Sequence, residues 1–381
     1  MNYPWHSAQH PGGKPARVQR LLRDASDINI DWLTRTLCYH DTCLPPIAAV
    51  ACEAVAENHF DFTTRIHLHF QEAKLLPKHL LVKISRPNLR RNLGHMTSAL
   101  FNREAAAYAE LHYHHTCRVP KIYFSANDGD QFNLLMADDG DAFDRNQVLD
   151  QHYLPQVRAV LAELAVLHGC FMGTSPASAP RWLVRLRTGA EQIANHFRHG
   201  LAQLHSPNLA GVSAELLELL QQLQPLVAPW HRFERQGITI THGDARISNA
   251  LFSAATANHW RASLINWQFC GLRNPMFDIT CLLAKSLTVA TRRQYENILL
   301  DEYRRQFEQG GRQYSAAEMV SDYRYNLCGP LIASVCAYGL LPEEQKPMTA
   351  QLIDRCAQAV LDWQSLELLS QRLKQITPKD Y

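Results

Sequence analysis

Between two short apolar runs, Gly237-Ile238-Thr239-Ile240 and Ala250-Leu251-Phe252, the chain carries the polar segment Thr241-His242-Gly243-Asp244-Ala245-Arg246-Ile247-Ser248-Asn249. Two strands joined in this way predict a loop that folds back on itself, bringing Asp244 and Asn249, five residues apart, to one centre. A carboxylate and an amide oxygen held together suit phosphoryl transfer, which asks for an oriented nucleophile and neutralised phosphate charge rather than covalent help. Asp244 would accept the proton of an attacking hydroxyl, and Asn249 would ligate magnesium. The same residue types also suit an ordinary turn, with Asp and Asn bonded to nearby backbone.

Residues upstream separate the two readings. His79-Leu80-Leu81-Val82-Lys83-Ile84-Ser85 predicts a short strand carrying Lys83, and Phe101-Asn102-Arg103-Glu104-Ala105-Ala106-Ala107-Tyr108 opens a helix carrying Glu104. Singly, each charged residue suits a solvated surface position. In this order, ahead of Asp244, they form the lysine–glutamate pair that holds nucleotide phosphates in kinase-type folds. Val119-Pro120-Lys121-Ile122-Tyr123-Phe124 and Phe132-Asn133-Leu134-Leu135-Met136, separated by Asn127-Asp128-Gly129-Asp130, predict a hairpin. It leads into Ala137-Asp138-Asp139-Gly140, a hinge between lobes.

Together these motifs resemble the aminoglycoside phosphotransferase and choline kinase superfamily, and most of all its ecdysteroid kinase-like branch. The likeness starts at about Ile28 and covers most of the chain: residues 28–33 resemble the opening helix, 134–136 the hinge strand, and 161–169 the first long helix of the larger lobe. Pro275-Met276-Phe277-Asp278-Ile279 resembles the segment after the metal motif, in which the Asp commonly has a structural role. The resemblance implies an α+β, bilobal protein-kinase-like fold. A flexible arm over 1–27 would precede a small lobe with an antiparallel sheet over 28–137 and a larger, mainly helical lobe over 138–381. It also implies ATP and Mg2+ as cofactors, with Asp244 catalytic, Lys83, Glu104, Met136 and Ala137 at the nucleotide, and Asn249 and Asn266 at the metal.

Two departures from the family pattern stand out. The segment expected to cover the nucleotide, Asn58-His59-Phe60-Asp61-Phe62-Thr63-Thr64, has no glycine to let backbone approach phosphate. Seventeen residues beyond Asn249, Asn266 stands where the family has an Asp that brings a full negative charge to the metal. Three accounts fit: a natural pseudokinase that binds nucleotide or ligand without efficient transfer, an active enzyme that tolerates Asn, or an isosteric replacement of the kind made to trap an enzyme. With Asp244, Asn249, Lys83 and Glu104 all present, an enzyme scaffold, active or disabled, is the favoured reading.

Composition narrows the partners. A formal charge of +2 over 381 residues argues against dominant binding to nucleic acid or an anionic membrane, and no apolar run is expected to cross a bilayer. The start, Met1-Asn2-Tyr3-Pro4-Trp5-His6, lacks the pattern of a signal peptide, so a cytoplasmic location and ten reduced cysteines are expected. His112, His114, His115 and Cys117 close an Ala-rich helix, where histidines favour the helix C-terminus more than a metal, and Cys38, His40 and Cys43 have no second ligand pair. Downstream, residues 299–307 predict a helix stopped by Gly310-Gly311, and residues 323–327 and 331–335 begin others. Tyr323, Tyr325 and Tyr338 either line an acceptor pocket or fill the core. Balanced charge here favours a hydroxylated, fairly apolar small-molecule acceptor over a polycation.

Overall fold

The computed structural model describes residues 20–38, 45–57, 60–71, 78–86, 95–114, 116–129, 131–140, 153–175, 177–184, 189–204, 213–233, 238–256 and 259–374. These group into two compact units, one within Met1–Tyr108 and Pro120–Asp139, the other within Ala109–Val119 and Gly140–Tyr381.

The first unit is an antiparallel sheet with a helix on each face. Helix α1 (Ile30–Cys38) precedes strands β1 (Ile47–Glu57), β2 (Asp61–Phe70) and β3 (His79–Ser85), helix α2 (His95–His114), and the hairpin β4 (Ile122–Asn127) and β5 (Phe132–Ala137). The strands lie in the order β1-β2-β3-β5-β4. Leu80, Val82 and Ile84 of β3 join Trp32, Leu33 and Leu37 of α1 in one core. By strand alternation Leu81 and Lys83 point to the opposite face. There α2 brings Glu104 to Lys83 and stacks Phe101 on Phe132 at 4.4 Å between ring centroids. Burial on both faces explains why β3 reads as a continuous apolar run rather than an alternating one.

The expected boundaries shift in three places. Residues 20–27 are not part of an arm: Leu22 is 2% exposed, and its N–H and carbonyl both bond the Asn133 side chain, at 2.6 and 2.9 Å. Helix α2 begins at His95 rather than Phe101. Its last turns, with residues 109–119, group with the second unit instead of the first. Residues 1–19, Asn58, His59, His40, Cys43 and His115 lie outside the described residues.

The second unit is mainly helical. It runs α3 (Leu154–Phe171), α4 (Arg181–Val184), α5 (Ala190–Leu204), α6 (Ala214–Leu223), α7 (Val227–Phe233), strands β6 (Thr239–Thr241), β7 (Ala250–Thr256), β8 (His259–Leu264) and β9 (Gly271–Arg273), then α8 (Met276–Ser286), α9 (Val289–Gln309), α10 (Ala316–Asn326), α11 (Cys328–Tyr338), α12 (Lys346–Asp362) and α13 (Ser365–Lys374). Ser213, Thr288 and Ser315 cap α6, α9 and α10 by accepting from backbone N–H groups three residues on. Residues 323–327 therefore end a helix rather than begin one. Helices α5 and α11 close up at Gly200, where a Cβ would sit 1.9 Å from the Val335 carbonyl oxygen. One expectation fails outright: α3, at 18 residues, is long and apolar enough to cross a membrane. It is a core helix, however, with Val157, Val160, Leu161 and Leu164 buried and contacts to β6, β8, α8 and α9.

Two short antiparallel pairings, β6 with β9 and β7 with β8, frame the loop from His242 to Asn249. Helix α8, buried along its whole length, follows directly.

Candidate functional site

The loop is built around one carboxylate. Asp278, in the first turn of α8, accepts from the His242 N–H at 2.6 Å and the Gly243 N–H at 2.8 Å. The buried His168 of α3 donates to it through Nε2 at 3.1 Å, and Tyr303 of α9 donates to His168 Nδ1 at 2.8 Å. Burial alone would raise the Asp278 pKa, but the bonds from His168 and the loop amides lower it. Asp278 is thus an ionised brace for the turn. His242 completes it, donating from Nε2 to the Ile265 carbonyl at 2.8 Å and accepting at Nδ1 from the Asp244 N–H at 3.3 Å. This bonding calls for a neutral ring, and burial lowers the His242 pKa accordingly. Gly243 sits at φ +87°, and a Cβ there would lie 2.0 Å from the Phe269 carbonyl oxygen, so only glycine fits.

The brace presents Asp244 to a ring of donors. Lys285, near the end of α8, reaches Oδ1 at 2.9 Å, while Arg246 approaches Oδ2 at 3.2 Å and Asn249 Nδ2 reaches it at 3.0 Å. Burial acts to raise the Asp244 pKa, yet Arg246 and Lys285 outweigh it and hold the carboxyl well below the usual carboxylate range. Asp244 is therefore better suited to orient a hydroxyl than to keep its proton.

Asn266 joins the same group. The Ile265 N–H bonds the Asn249 carbonyl at 3.0 Å, continuing the β7–β8 pairing and closing the 17 residues between Asn249 and Asn266. The Asn266 amide then donates to Asn249 Oδ1 at 2.9 Å. Its backbone is left-handed, φ 68° and ψ 55°, a conformation that Asn and Asp tolerate far better than other side chains. The position is thus fit for either residue, and only the charge differs.

In the first unit Lys83 Nζ donates to Glu104 Oε1 and Oε2 at 3.0 and 2.8 Å, with Asp61 Oδ2 at 3.4 Å. All three side chains are at most 1% exposed. Burial would lower the Lys83 pKa, but Asp61 and Glu104 raise it, so the ammonium is secure. Met136 and Ala137 pair with Leu81 and Leu80 of β3, both buried at the end of β5. Beyond them Asp138 accepts from Arg65 Nε at 2.5 Å.

Some participants were not anticipated. Lys285 is a lone charge in the run Ile279-Thr280-Cys281-Leu282-Leu283-Ala284-Lys285, and Asp61 sits between two phenylalanines. A charge inside an apolar segment is the signal each offered. His168 and Tyr303 gave none. The three tyrosines resolve towards the core, since Tyr323 and Tyr338 are fully buried and Tyr323 donates to Glu296 of α9 at 2.6 Å. Among the described residues no three His, Cys, Asp or Glu side chains gather for a metal.

The fold has solved counterparts. The GDP and kanamycin complex of an aminoglycoside 2''-phosphotransferase superposes with a TM-score of 0.51 at 12% identity, covering 86% of this chain and 98% of that one. Plasmodium vivax ethanolamine kinase gives 0.51 at 11% identity, covering 88% and 89%. No curated protein sequence matches this chain. The model of the ecdysteroid kinase-like family matches residues 56–314, a span that holds Lys83, Glu104, Asp244, Asn249, Asn266 and Asp278. The chain is a member of the ecdysteroid kinase-like family.

Proposed function

We propose that the chain is an ATP-dependent small-molecule O-phosphotransferase acting on a hydroxyl group, with its metal position weakened at Asn266. The observation that carries this reading is the gathering of Asp244, Asn249 and Asn266 around one braced loop. Family membership and the likeness to nucleotide-bound phosphotransferases support a small-molecule kinase, and the lysine–glutamate pair supports nucleotide phosphate as its ligand. In this scheme Asp244 holds the acceptor hydroxyl and takes its proton as the oxygen bonds phosphorus. Arg246 and Lys285 supply positive charge beside the transferred group, and Lys83, braced by Glu104, holds the nucleotide phosphates. Met136 and Ala137 would flank the base.

Magnesium fits this donor set poorly. Asn249 and Asn266 offer neutral amide oxygens, the Asn249 oxygen already accepts from Asn266, and the Asp244 carboxylate is taken up by two cations and an amide. Hard divalent ions favour at least one carboxylate besides phosphate. That observation favours a second reading, a pseudokinase that binds nucleotide or ligand and signals through partners.

Asn266→Asp separates them. Magnesium-dependent ATP turnover is expected to rise by at least tenfold over the natural chain across a panel of hydroxylated metabolites, and Asp244→Ala in that background is expected to abolish it. If Asn266→Asp binds ATP with magnesium but transfers to no acceptor, and Asp244→Ala leaves biological activity intact, the kinase reading falls.

A further inference from the structure

The ammonium of Lys83 has three N–H donors, and two of them are taken by the two oxygens of Glu104. The third lies towards Asp61, at the longer distance of 3.4 Å. One carboxylate balances one ammonium, so a second leaves the cluster with one positive charge against two negative. A surplus charge out of reach of water is costly. Its strain is visible in Glu104, where burial pushes the pKa up, Lys83 pulls it down and Asp61 adds to the rise.

The backbone makes the placement of Asp61 deliberate. It opens β2 directly after the turn in which a glycine-rich phosphate loop was expected, and its Cα partner is Ser85. Thr63, two residues on and on the same face, is the Cα partner of Lys83. Where glycine amides would welcome a phosphate, this chain points a carboxylate at the phosphate lysine.

We propose that Asp61 gates Lys83, so that a nucleotide phosphate engages the lysine by taking over the third donor from Asp61. The gate rests on reading Lys83 as the phosphate-binding lysine. The two carboxylates then have opposite effects on the same amine: Glu104 holds Lys83 ready, and Asp61 competes with the ligand.

Calorimetric titration with a non-hydrolysable ATP analogue and magnesium tests this in the natural chain, Asp61→Asn, Glu104→Gln and Lys83→Met. Asp61→Asn is expected to bind about tenfold more tightly, the scale of one charge-assisted hydrogen bond. Glu104→Gln is expected to bind more weakly and Lys83→Met not at all. A merely structural Asp61 would not produce a gain in affinity. If Lys83→Met abolishes binding while Asp61→Asn leaves it unchanged or weaker, the gate is overturned and the role of Lys83 stands. If the analogue binds no variant, or Lys83→Met binds as the natural chain does, the gate and the reading of Lys83 fall together. Asp61→Ser carries the same expectation should the Asn variant not fold.

Discussion

The lysine cluster of the first unit and the Asp244 loop of the second are both buried ionic groups, and they are held in different ways. Lys83 and Asp61 sit on neighbouring strands whose register places them, and one helix adds Glu104. The loop has almost no regular structure of its own. Its shape comes from Asp278, Ile265 and Phe269, residues that approach it from α8 and the segment after β8. The clusters also differ in charge: one cation faces two carboxylates around Lys83, while two cations face one carboxylate around Asp244. Regular structure tolerates a charge surplus that a loop would have to neutralise.

The largest effects are expected where each cluster loses its hub. Asp278→Ala strips three donors of their acceptor and is expected to destabilise the second unit by about 3–5 kcal/mol in urea denaturation. Lys83→Met leaves two buried carboxylates facing one another and is expected to cost the first unit a similar amount, about 3–5 kcal/mol. Were Lys83→Met nearly neutral, the cluster would already share a proton, and the contrast in charge would collapse.

Gly243→Ala comes next, at about 2–3 kcal/mol, because a left-handed backbone and a carbonyl contact both oppose the methyl group. No strand position beside Lys83 carries such a constraint. Asn266→Ala is expected to cost about 1–2 kcal/mol through the same left-handed preference, and Asn266→Asp less than about 1 kcal/mol. An Asn266→Ala variant as stable as the natural chain would show that the turn relaxes readily.

The pH response should divide in the same way. The folded pKa of Asp278 is depressed, so its stabilisation is complete above the unfolded value of about 4 and is lost as pH falls through the lower folded value. Lys83 is raised, so its contribution is complete below about 10.4 and is lost only as pH climbs past the folded value. Denaturation midpoints across pH are expected to lose their acid limb in Asp278→Asn and their alkaline limb in Lys83→Met.

Much of this was legible beforehand. The apolar run around Lys83, the hairpin through Asn127-Asp128-Gly129, and the order of lysine, glutamate and loop follow from local pattern and turn chemistry. Element edges were less so. Residues 20–27 looked like an arm because nothing local shows that Asn133, more than 100 residues away, bonds both backbone groups of Leu22. The 18-residue α3 shows the same limit, since its apolar content registers on paper while the strands and helices that bury it do not.

The sequence by itself determined the residue types for phosphoryl chemistry, their order, the missing glycine and the missing charge at Asn266, because these are matters of covalent identity and short-range propensity. Only the tertiary structure decided that Lys285 and Arg246 clamp Asp244, that Asn266 bonds Asn249, and that Asp61 shares Lys83 with Glu104. The physical reason is distance: charges and amides act over a few ångströms of space, and folding brings to that range residues that the chain holds far apart.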